Sequence, residues 1–398
     1  MLHSYAFSNF RSFSKRTEVS FVLTEKEPVN GWVRVSPIGG QRLSTATAVI
    51  GANASGKTSL IQPIAFLAWF ISDSFKAPPD DGIPVTPHFA GSDQPIEFEA
   101  IADSWEQDTL LRYSLTTTTR RVLAEKLEKK VRRSQWKTIF DRKVLDRDKY
   151  LVIQDEFGLP AEQASNVRPN VSLISWAVQF GVEYAQRVAS LDVSTNVTQG
   201  GRTWVPHDSS LTWSTDFFAN NESVQSEMKH LLGKWDFGLS DVVLASTESA
   251  NPTGQKQKQW HAFGVHVDKE QRRHLLPFVQ ESSGTKAAFS ILAMILPVLS
   301  TGGIVAFDEL DSDLHPHMLE PLLRLFSNES SNPHGAQIIF TCHSAEVLRW
   351  LQKSQVVLVE KDGLESEAWR LDSMEGVRSD DNRVAKYLAG AYGAVPRL

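Results

Sequence analysis

One short segment of the chain has residues whose types and spacing suit phosphate binding. Residues 51–58 read Gly-Ala-Asn-Ala-Ser-Gly-Lys-Thr and match the pattern G-x-x-x-x-G-K-[ST] at every fixed position. Such a loop presents several backbone N–H groups to an anion. We expect Lys57 to reach the β- and γ-phosphates of a nucleotide and Thr58 to hold Mg²⁺ through its hydroxyl. The expected nucleotide-binding residues are Gly51, Asn53, Ala54, Ser55, Gly56, Lys57, Thr58 and Ser59.

The flanking sequence predicts the elements that position this loop. Residues 45–50 are typical of a buried strand, and residues 59–71 are typical of an apolar helix. A strand that leads through small residues into a helix N-terminus gathers N–H groups around a phosphate. The alternative is a chance match in a glycine-bearing turn, and the strand and helix on either side argue against it.

Two adjacent carboxylates follow a second apolar run. Residues 304–307, Ile-Val-Ala-Phe, predict a buried strand that ends at Asp308 and Glu309. In this position Asp308 would hold Mg²⁺, directly or through water, and Glu309 would polarise the attacking water as a general base. An acidic turn at a strand end is the alternative, and Asp-Glu alone is a common pair.

A histidine follows a third predicted strand. Residues 337–340, Gln-Ile-Ile-Phe, predict this strand, and His343 comes three positions later. The C-terminal ends of parallel strands form the ligand edge of an α/β sheet. His343 is therefore a candidate hydrogen-bond donor to the γ-phosphate or to the attacking water, although a lone histidine is more often a capping or packing residue.

A second candidate phosphate site precedes the helix predicted to begin at Lys286. Residues 281–285 read Glu-Ser-Ser-Gly-Thr, so Ser283 and Gly284 lie where a helix N-terminus accepts an anion. An ordinary N-cap is the alternative, since Ser and Thr favour that position. One phosphate pocket cannot easily use two helix N-termini from different parts of the same chain. We therefore expect Ser283 and Gly284 to face the nucleotide of a partner molecule.

The order of predicted elements favours an α/β fold in which an insertion interrupts the nucleotide core. Residues 1–118 predict a β-meander and the phosphate loop, and residues 276–398 alternate strand with helix as in a mostly parallel sheet. Residues 119–275 are more charged and show helical spacing at 171–188 and 224–232. We interpret them as a mainly helical insertion.

Composition restricts the class of protein. The 398 residues have a net charge of −6, which does not favour nucleic-acid binding by the whole surface. The single cysteine, Cys342, rules out an internal disulfide and favours a reducing compartment such as the cytoplasm. No secretion signal is evident at residues 1–5, and the apolar runs 63–71 and 291–299 are too short to span a bilayer. The sequence therefore predicts no membrane contact.

These motifs resemble the ABC-type ATPases of the RecF/SMC/overcoming-lysogenization-defect group. The resemblance is carried by the phosphate loop, the variant signature Ser282–Thr285, Asp308-Glu309, the run Leu314-His315-Pro316 and His343, in that order. The opening residues 8–13, Ser-Asn-Phe-Arg-Ser-Phe, resemble the first strand-turn of that group, which implies that Arg11 touches the nucleotide. The ending 387–396 resembles the tail of stand-alone AbiL-type abortive-infection ATPases.

The resemblance implies an ABC-ATPase head that binds ATP with Mg²⁺ and forms an ATP-dependent head-to-head dimer or a higher homo-oligomer. It further implies an anti-phage defence role, similar to a toxin–antitoxin system, with control of a separate effector protein such as a nuclease. A RecF- or SMC-like DNA-repair clamp is the alternative. A transporter subunit is disfavoured, because the signature lacks the second glycine and the glutamine of transporter ATPases.

Three further segments bear on these alternatives. Residues 120–143 carry ten basic and three acidic side chains together with Trp136, a pattern that suits a DNA or RNA backbone, a protein partner or a solvated face. Lys256 and Lys258 near Trp260 add a shorter basic segment.

Residues 356–360 resemble the first strand of a Toprim nuclease, but the 38 residues that follow favour a hairpin with a turn at Asp362-Gly363. Gln62 and Gln94 are weak candidates for a γ-phosphate-sensing glutamine.

Overall fold

The computed structural model describes residues 1–24, 31–146, 149–203, 208–235, 237–250, 256–378 and 381–396. Its strands are β1 (Leu2–Ser8), β2 (Thr17–Ser20), β3 (Val33–Val35), β4 (Arg42–Ser44), β5 (Ala46–Gly51), β6 (Ile96–Asp103), β7 (Thr109–Thr117), β8 (Val122–Val131), β9 (Lys137–Asp146), β10 (Lys149–Gln154), β11 (Val193–Thr195), β12 (Val197–Thr198), β13 (Gly201–Arg202), β14 (Asp241–Ala250), β15 (Lys256–Val267), β16 (Arg273–Pro277), β17 (Ile304–Phe307), β18 (Gln337–Cys342), β19 (Val356–Asp362) and β20 (Glu365–Arg370). Its α-helices are α1 (Lys57–Asp73), α2 (Ala161–Ser165), α3 (Leu173–Val178), α4 (Glu183–Ala189), α5 (Asp208–Ala219), α6 (Glu222–Lys234), α7 (Ser283–Thr301), α8 (Pro316–Arg324), α9 (Val347–Trp350) and α10 (Arg383–Leu388).

A six-stranded sheet forms the centre of the fold, in the order β11-β17-β18-β5-β19-β20. Its pairings are parallel except for the antiparallel hairpin β19–β20. Strands such as β5, β17 and β18 are buried along their whole length, which explains their continuous apolar sequences. The parallel pairing brings the ends of β5, β17 and β18 to one edge of the sheet, where the candidate residues lie. The predicted α/β class is confirmed.

Two hydrophobic cores cover the two faces of this sheet. Alternate residues of β17, Ile304 and Ala306, pack into a core with α1 and the N-terminal strands. Val305 and Phe307 of the same strand pack into a second core with α5, α6, α7 and α8. Within the described residues, α7 is the one helix long and apolar enough to cross a membrane. It contains the run 291–299, and most of its residues are buried in the second core.

The expectation of a mainly helical insertion at 119–275 is wrong for much of that segment. Strands β8, β9 and β10 continue the N-terminal meander into a seven-stranded antiparallel sheet, in the order β10-β9-β8-β7-β6-β1-β2. β14, β15 and β16 form a further three-stranded sheet, so more of the segment's described residues lie in strands than in helices. β11 even joins the central sheet by pairing with β17. The nucleotide core therefore draws a strand from within residues 119–275, and the meander extends beyond residue 118.

Candidate nucleotide site

The phosphate loop connects β5 to α1 through a turn that needs its glycines. Gly51 lies against β19, where an added Cβ would sit 2.2 Å from the carbonyl oxygen of Val359. Gly56 has φ +109° and would place a Cβ 2.6 Å from Ser366 Oγ. Gly56 precedes α1, and no side chain caps the helix start. The N–H groups of the first turn are therefore left for an anion.

Lys57 is buried in this loop, and its side chain is hydrogen-bonded to the loop backbone. Its ammonium donates hydrogen bonds to the carbonyl oxygens of Gly51 and Ala52, each at 3.0 Å. Burial lowers the pKa of Lys57, and the nearby carboxylates of Asp308 and Glu309 oppose that effect. A phosphate that takes the place of these carbonyl oxygens would give the ammonium a full counter-charge in a poorly solvated position.

The predicted metal-binding pair meets across the sheet edge. Thr58 Oγ1 donates to Asp308 Oδ2 at 2.8 Å, although the two residues are 250 positions apart. Thr341 Oγ1 donates to Asp308 Oδ1 at 2.6 Å, and the side-chain amide of Asn196 binds both backbone groups of Asp308. A hydroxyl and a carboxylate are hard oxygen ligands of the kind that Mg²⁺ prefers, with phosphate and water completing the shell. The described residues contain no group of three or more His, Cys, Asp or Glu that could hold a metal ion.

Glu309 lies beside this pair in an unusual backbone conformation. Its φ is +51°, and its N–H donates to Thr341 Oγ1 at 2.7 Å. One carboxylate oxygen, Oε2, forms an ion pair with Arg202 and accepts a hydrogen bond from Ser312 Oγ at 3.0 Å. The other, Oε1, lies 3.8 Å from His343 Nε2. Asp311 fixes the turn that carries the histidine, because its Oδ2 accepts from the N–H groups of His343 and Ser344.

A cleft of about 740 Å³ opens over these residues. It is lined by the expected loop residues 53–59, by Glu309 and His343, and by Arg11. Gly51 and the buried Asp308 do not line the cleft. The guanidinium of Arg11 donates to the carbonyl oxygen of Gln199 at 2.5 Å, and partial burial lowers its pKa. The full lining is Arg11, Ser12, Asn53, Ala54, Ser55, Gly56, Lys57, Thr58, Ser59, Thr86, Pro87, Phe89, Glu309, His343, Lys361 and Leu364.

Ser283 and Gly284 lie outside this cleft. They occupy the first turn of α7, which Ser282 caps by accepting a hydrogen bond from the N–H of Thr285 at 3.1 Å. Ser283 is exposed, and a Cβ at Gly284 would contact the carbonyl oxygen of Asp313 at 3.4 Å. Their expected role at a partner's nucleotide stays a prediction.

Several residues at the site carried no recognisable sequence signal. Asn196 and Arg202 reach it from the short segment after β11, whose strand is only three residues long. Lys361 and Leu364 line the cleft from the β19–β20 hairpin, which also binds the phosphate loop through Ser366 Oγ and the carbonyl oxygen of Ser55 at 2.7 Å. Its strands confirm the predicted hairpin, with the turn at residues 363 and 364.

Neither weak candidate for a phosphate-sensing glutamine lines the cleft. Gln62 is buried within α1, and its amide donates to the carbonyl oxygens of Thr198 and Gln199 at 2.6 and 3.1 Å. Gln94 is exposed in the loop before β6. The structure instead uses Gln62 to hold the β12–β13 hairpin against the helix.

Residues 387–396, which resemble the tail of AbiL-type ATPases, have a structural role that the sequence did not reveal. The N–H of Ala394 donates to Glu360 Oε2 at 3.1 Å, and Tyr387 OH donates to the carbonyl oxygen of Ala394. The tail therefore packs against β19, the strand whose Val359 contacts Gly51. It braces the hairpin beneath the phosphate loop.

The basic segment 120–143 lies on β8 and β9, where acidic neighbours compensate much of its charge. Six of its ten basic side chains form ion pairs, and some of the acids lie outside the segment. The pairs are Lys126–Glu128, Lys129–Glu156, Arg132–Asp108, Lys137–Glu156, Arg142–Glu125 and Lys143–Asp141. Arg112 and Lys130 lie over the ring of Trp136, at 4.4 and 5.8 Å. This arrangement favours a solvated, internally paired face over a track for a nucleic-acid backbone. The shorter pair Lys256 and Lys258 follows residues 251–255, which lie outside the described residues.

Comparison with known proteins identifies a family for this chain. A search of curated protein sequences found no match. A solved structure of "the recombination mediator protein RecF-ATPrS in RecFOR pathway" is similar over 92% of this chain and 98% of that chain, at 11% identity and a TM-score of 0.34. That score is too low to support an inference. The family profile described as "AAA domain, putative AbiEii toxin, Type IV TA system" matches residues 46–176 and 189–349, which are more than half of the chain. The chain therefore belongs to this family and carries its AAA-type ATPase domain.

Proposed function

We propose that the protein binds ATP with Mg²⁺ and hydrolyses it at the cleft above α1. The supporting observation is the convergence of Lys57, Thr58, Asp308 and Glu309 from two distant parts of the chain, with a 2.8 Å hydrogen bond between the expected metal-binding side chains. Phosphoryl transfer needs positioning and charge stabilisation more than covalent catalysis, and these four residues supply both.

Each residue has a separate task in this proposal. Lys57 exchanges the carbonyl oxygens of Gly51 and Ala52 for the β- and γ-phosphates. Thr58 and Asp308 would hold Mg²⁺, which when bound supplies positive charge against the phosphate oxygens. Glu309 accepts a proton from the attacking water, and His343, close to Glu309 on the same wall, donates a hydrogen bond to the water or the γ-phosphate.

The functional unit in this proposal is a head-to-head dimer. Ser283 and Gly284 of one chain close the cleft of the other, which suits a helix N-terminus that is exposed and remote from its own cleft. The geometry is isologous, since each chain offers the same two surfaces to its twin.

We further propose that the dimer controls a separate effector, plausibly a nuclease, in anti-phage defence of the AbiL-type. The family description names a toxin of a type IV toxin–antitoxin system, which supports a defence context. The side chains that converge at the cleft suit nucleotide hydrolysis, and this proposal assigns the effector chemistry to another protein.

The experiment is a comparison of the purified chain with its Glu309→Gln variant. Mg²⁺-dependent ATP hydrolysis is expected in the parent. The variant retains ATP binding, hydrolyses about 10²–10⁴-fold more slowly and accumulates a dimer seen by light scattering. Glu320→Gln, at a partly exposed carboxylate on α8 paired with Arg324, is the control and keeps the parent rate. An unchanged rate in Glu309→Gln would refute the general base, and nuclease activity of the purified chain alone would refute the division of labour.

A further inference from the structure

The ion pair between Arg202 and Glu309 is a feature that the proposed reaction does not explain. Arg202 ends β13, and its guanidinium Nη1 contacts Glu309 Oε2. The side chains are 18% and 35% exposed, so water screens the pair only in part. Ser312 Oγ donates to the same carboxylate oxygen. The expected base is therefore restrained on one oxygen by two donors.

This contact opposes the role of Glu309 as a base. A carboxylate accepts a proton from water through a lone pair that faces the water, and a donor held on the same oxygen occupies that place. With Arg202 and Ser312 on Oε2, Glu309 is held in a resting arrangement. In this arrangement Oε2 is closed to the attacking water until the guanidinium moves away.

The β12–β13 hairpin that carries Arg202 is connected directly to the elements that hold a nucleotide. Gln62, five residues after Lys57 on α1, binds the carbonyl oxygens of Thr198 and Gln199. Arg11, which lines the cleft, donates to the carbonyl oxygen of Gln199. A change in the position of either element on ligand binding is transmitted to this hairpin through these hydrogen bonds.

The turn before Arg202 has room to adjust. Gly201 has φ +120°, and a Cβ there would meet nothing within 4 Å. Gly200 is similarly open, with Thr198 Oγ1 at 3.6 Å as its nearest neighbour. No side chain packs over the two glycines; hydrogen bonds of Thr198 Oγ1 hold the turn, from the N–H of Gly200 at 3.2 Å and to the carbonyl oxygen of Gly201 at 3.0 Å. A small rotation of the strand end therefore has to stretch these hydrogen bonds but meets no side-chain clash.

We propose that Arg202 restrains Glu309 in the nucleotide-free protein and transfers its guanidinium to the γ-phosphate when ATP binds. The inference rests on the proposed ATPase function and names a further positioning residue for it. A terminal phosphate carries more charge than a carboxylate and suits the forked donors of arginine, so it competes for the guanidinium. ADP lacks the γ-phosphate, so ADP leaves Glu309 restrained. Arg202 thereby links the presence of ATP to the release of the base.

The test compares affinities for two nucleotides in the full chain with Mg²⁺, by calorimetry. The nonhydrolysable analogue AMP-PNP has a γ-phosphate and ADP does not. In Arg202→Gln, we expect AMP-PNP affinity to fall roughly ten- to a hundredfold while ADP affinity stays within about twofold of the parent. Arg187→Gln, on an exposed ion pair with Glu183 on α4, is the matched control and changes neither.

A double-mutant cycle adds a readout that a purely structural role would not move. Removing the charge at position 309 weakens the hold of Glu309 on Arg202, so Glu309→Gln should tighten AMP-PNP binding, and that gain should disappear in the Arg202→Gln background. Arg202→Lys keeps the positive charge but loses the forked donors of the guanidinium. It should recover part of the AMP-PNP affinity, which would show that the loss in Arg202→Gln is not caused by misfolding.

The outcomes separate the two proposals. If the parent binds AMP-PNP and Arg202→Gln weakens AMP-PNP and ADP equally, or the cycle is additive, the role of Arg202 is overturned and the ATPase assignment stands. If the parent binds neither nucleotide, the proposed function fails and this inference fails with it.

Discussion

The two longest helices of the described chain begin in different ways. α1 follows Gly56 at φ +109° with no side-chain cap, and its first turn lies in the cleft. α7 follows Ser282, whose hydroxyl caps the N–H of Thr285, and its exposed start lies outside that cleft. The difference teaches that an uncapped glycine start leaves N–H groups for a ligand in the same chain. A capped start is stable without a ligand and is available for recognition by a second molecule.

The largest effect is expected from Lys57→Ala, which tests whether the start of α1 binds the nucleotide. The variant loses the one ammonium that the loop buries, and we expect ATP affinity to fall by at least about a hundredfold, with hydrolysis lost as a consequence. Calorimetric titration with ATP and Mg²⁺ measures this. Lys76→Ala, at an exposed lysine paired with Asp73 just beyond α1, should bind as the parent does. Retained affinity in Lys57→Ala would mean that the nucleotide does not occupy this loop.

Ser283→Glu tests whether the start of α7 contacts the nucleotide of a partner chain. A carboxylate at the exposed start of α7 repels a partner's triphosphate while leaving the chain's own cleft intact, so ATP affinity of the monomer should remain and hydrolysis should fall about tenfold or more. Light scattering with ATP in a Glu309→Gln background should show loss of the dimer. Ser226→Glu, on the exposed side of α6, is the control. A full rate and an intact dimer in Ser283→Glu would remove the reason to treat the two helix starts as halves of one site.

The α1 site was predictable because local sequence dictates it. Gly51 is needed where the backbone approaches β19, and Gly56 is needed where it turns through positive φ, so residue type and spacing reveal the geometry. The Thr58–Asp308 contact followed from parallel strands that end at one edge.

Other parts depend on long-range pairing that a single sequence does not specify. The charges of β8 and β9 looked like a basic surface because their acidic partners, such as Asp108 and Glu156, come from other elements. Arg202 and Asn196 were missed because β11 is too short to give a periodic signal, and its place in the sheet comes from pairing with β17. The buried pair Glu125 and Arg142, which binds β8 and β9 to the start of α3, likewise looked like ordinary surface charge.

A smaller effect is expected when the glycine start of α1 is altered. Gly56→Ala places a Cβ at φ +109° and 2.6 Å from Ser366 Oγ, which disturbs the hydrogen bond of that hydroxyl to the carbonyl oxygen of Ser55. We expect a loss of about 1–3 kcal/mol in the free energy of unfolding. Gly376→Ala separates the effects, because Gly376 also has positive φ but has no atom near its Cβ. Chemical denaturation of both variants would show whether the contact adds to the backbone strain; equal losses would mean that it does not.

The smallest effect is expected from Ser282→Ala at the capped start of α7. The variant loses the hydrogen bond from the N–H of Thr285, and the free energy of unfolding should fall by about 1 kcal/mol. Ser226→Ala, in the exposed middle of α6, should be nearly neutral. The informative result is the ligand dependence. If α7 receives a partner's phosphate, ATP should restore stability to Ser282→Ala in the dimeric Glu309→Gln background, because the phosphate takes over the freed N–H group. If ATP gives the capped and uncapped proteins the same increment of melting temperature, α7 contacts no phosphate and its cap serves the fold alone.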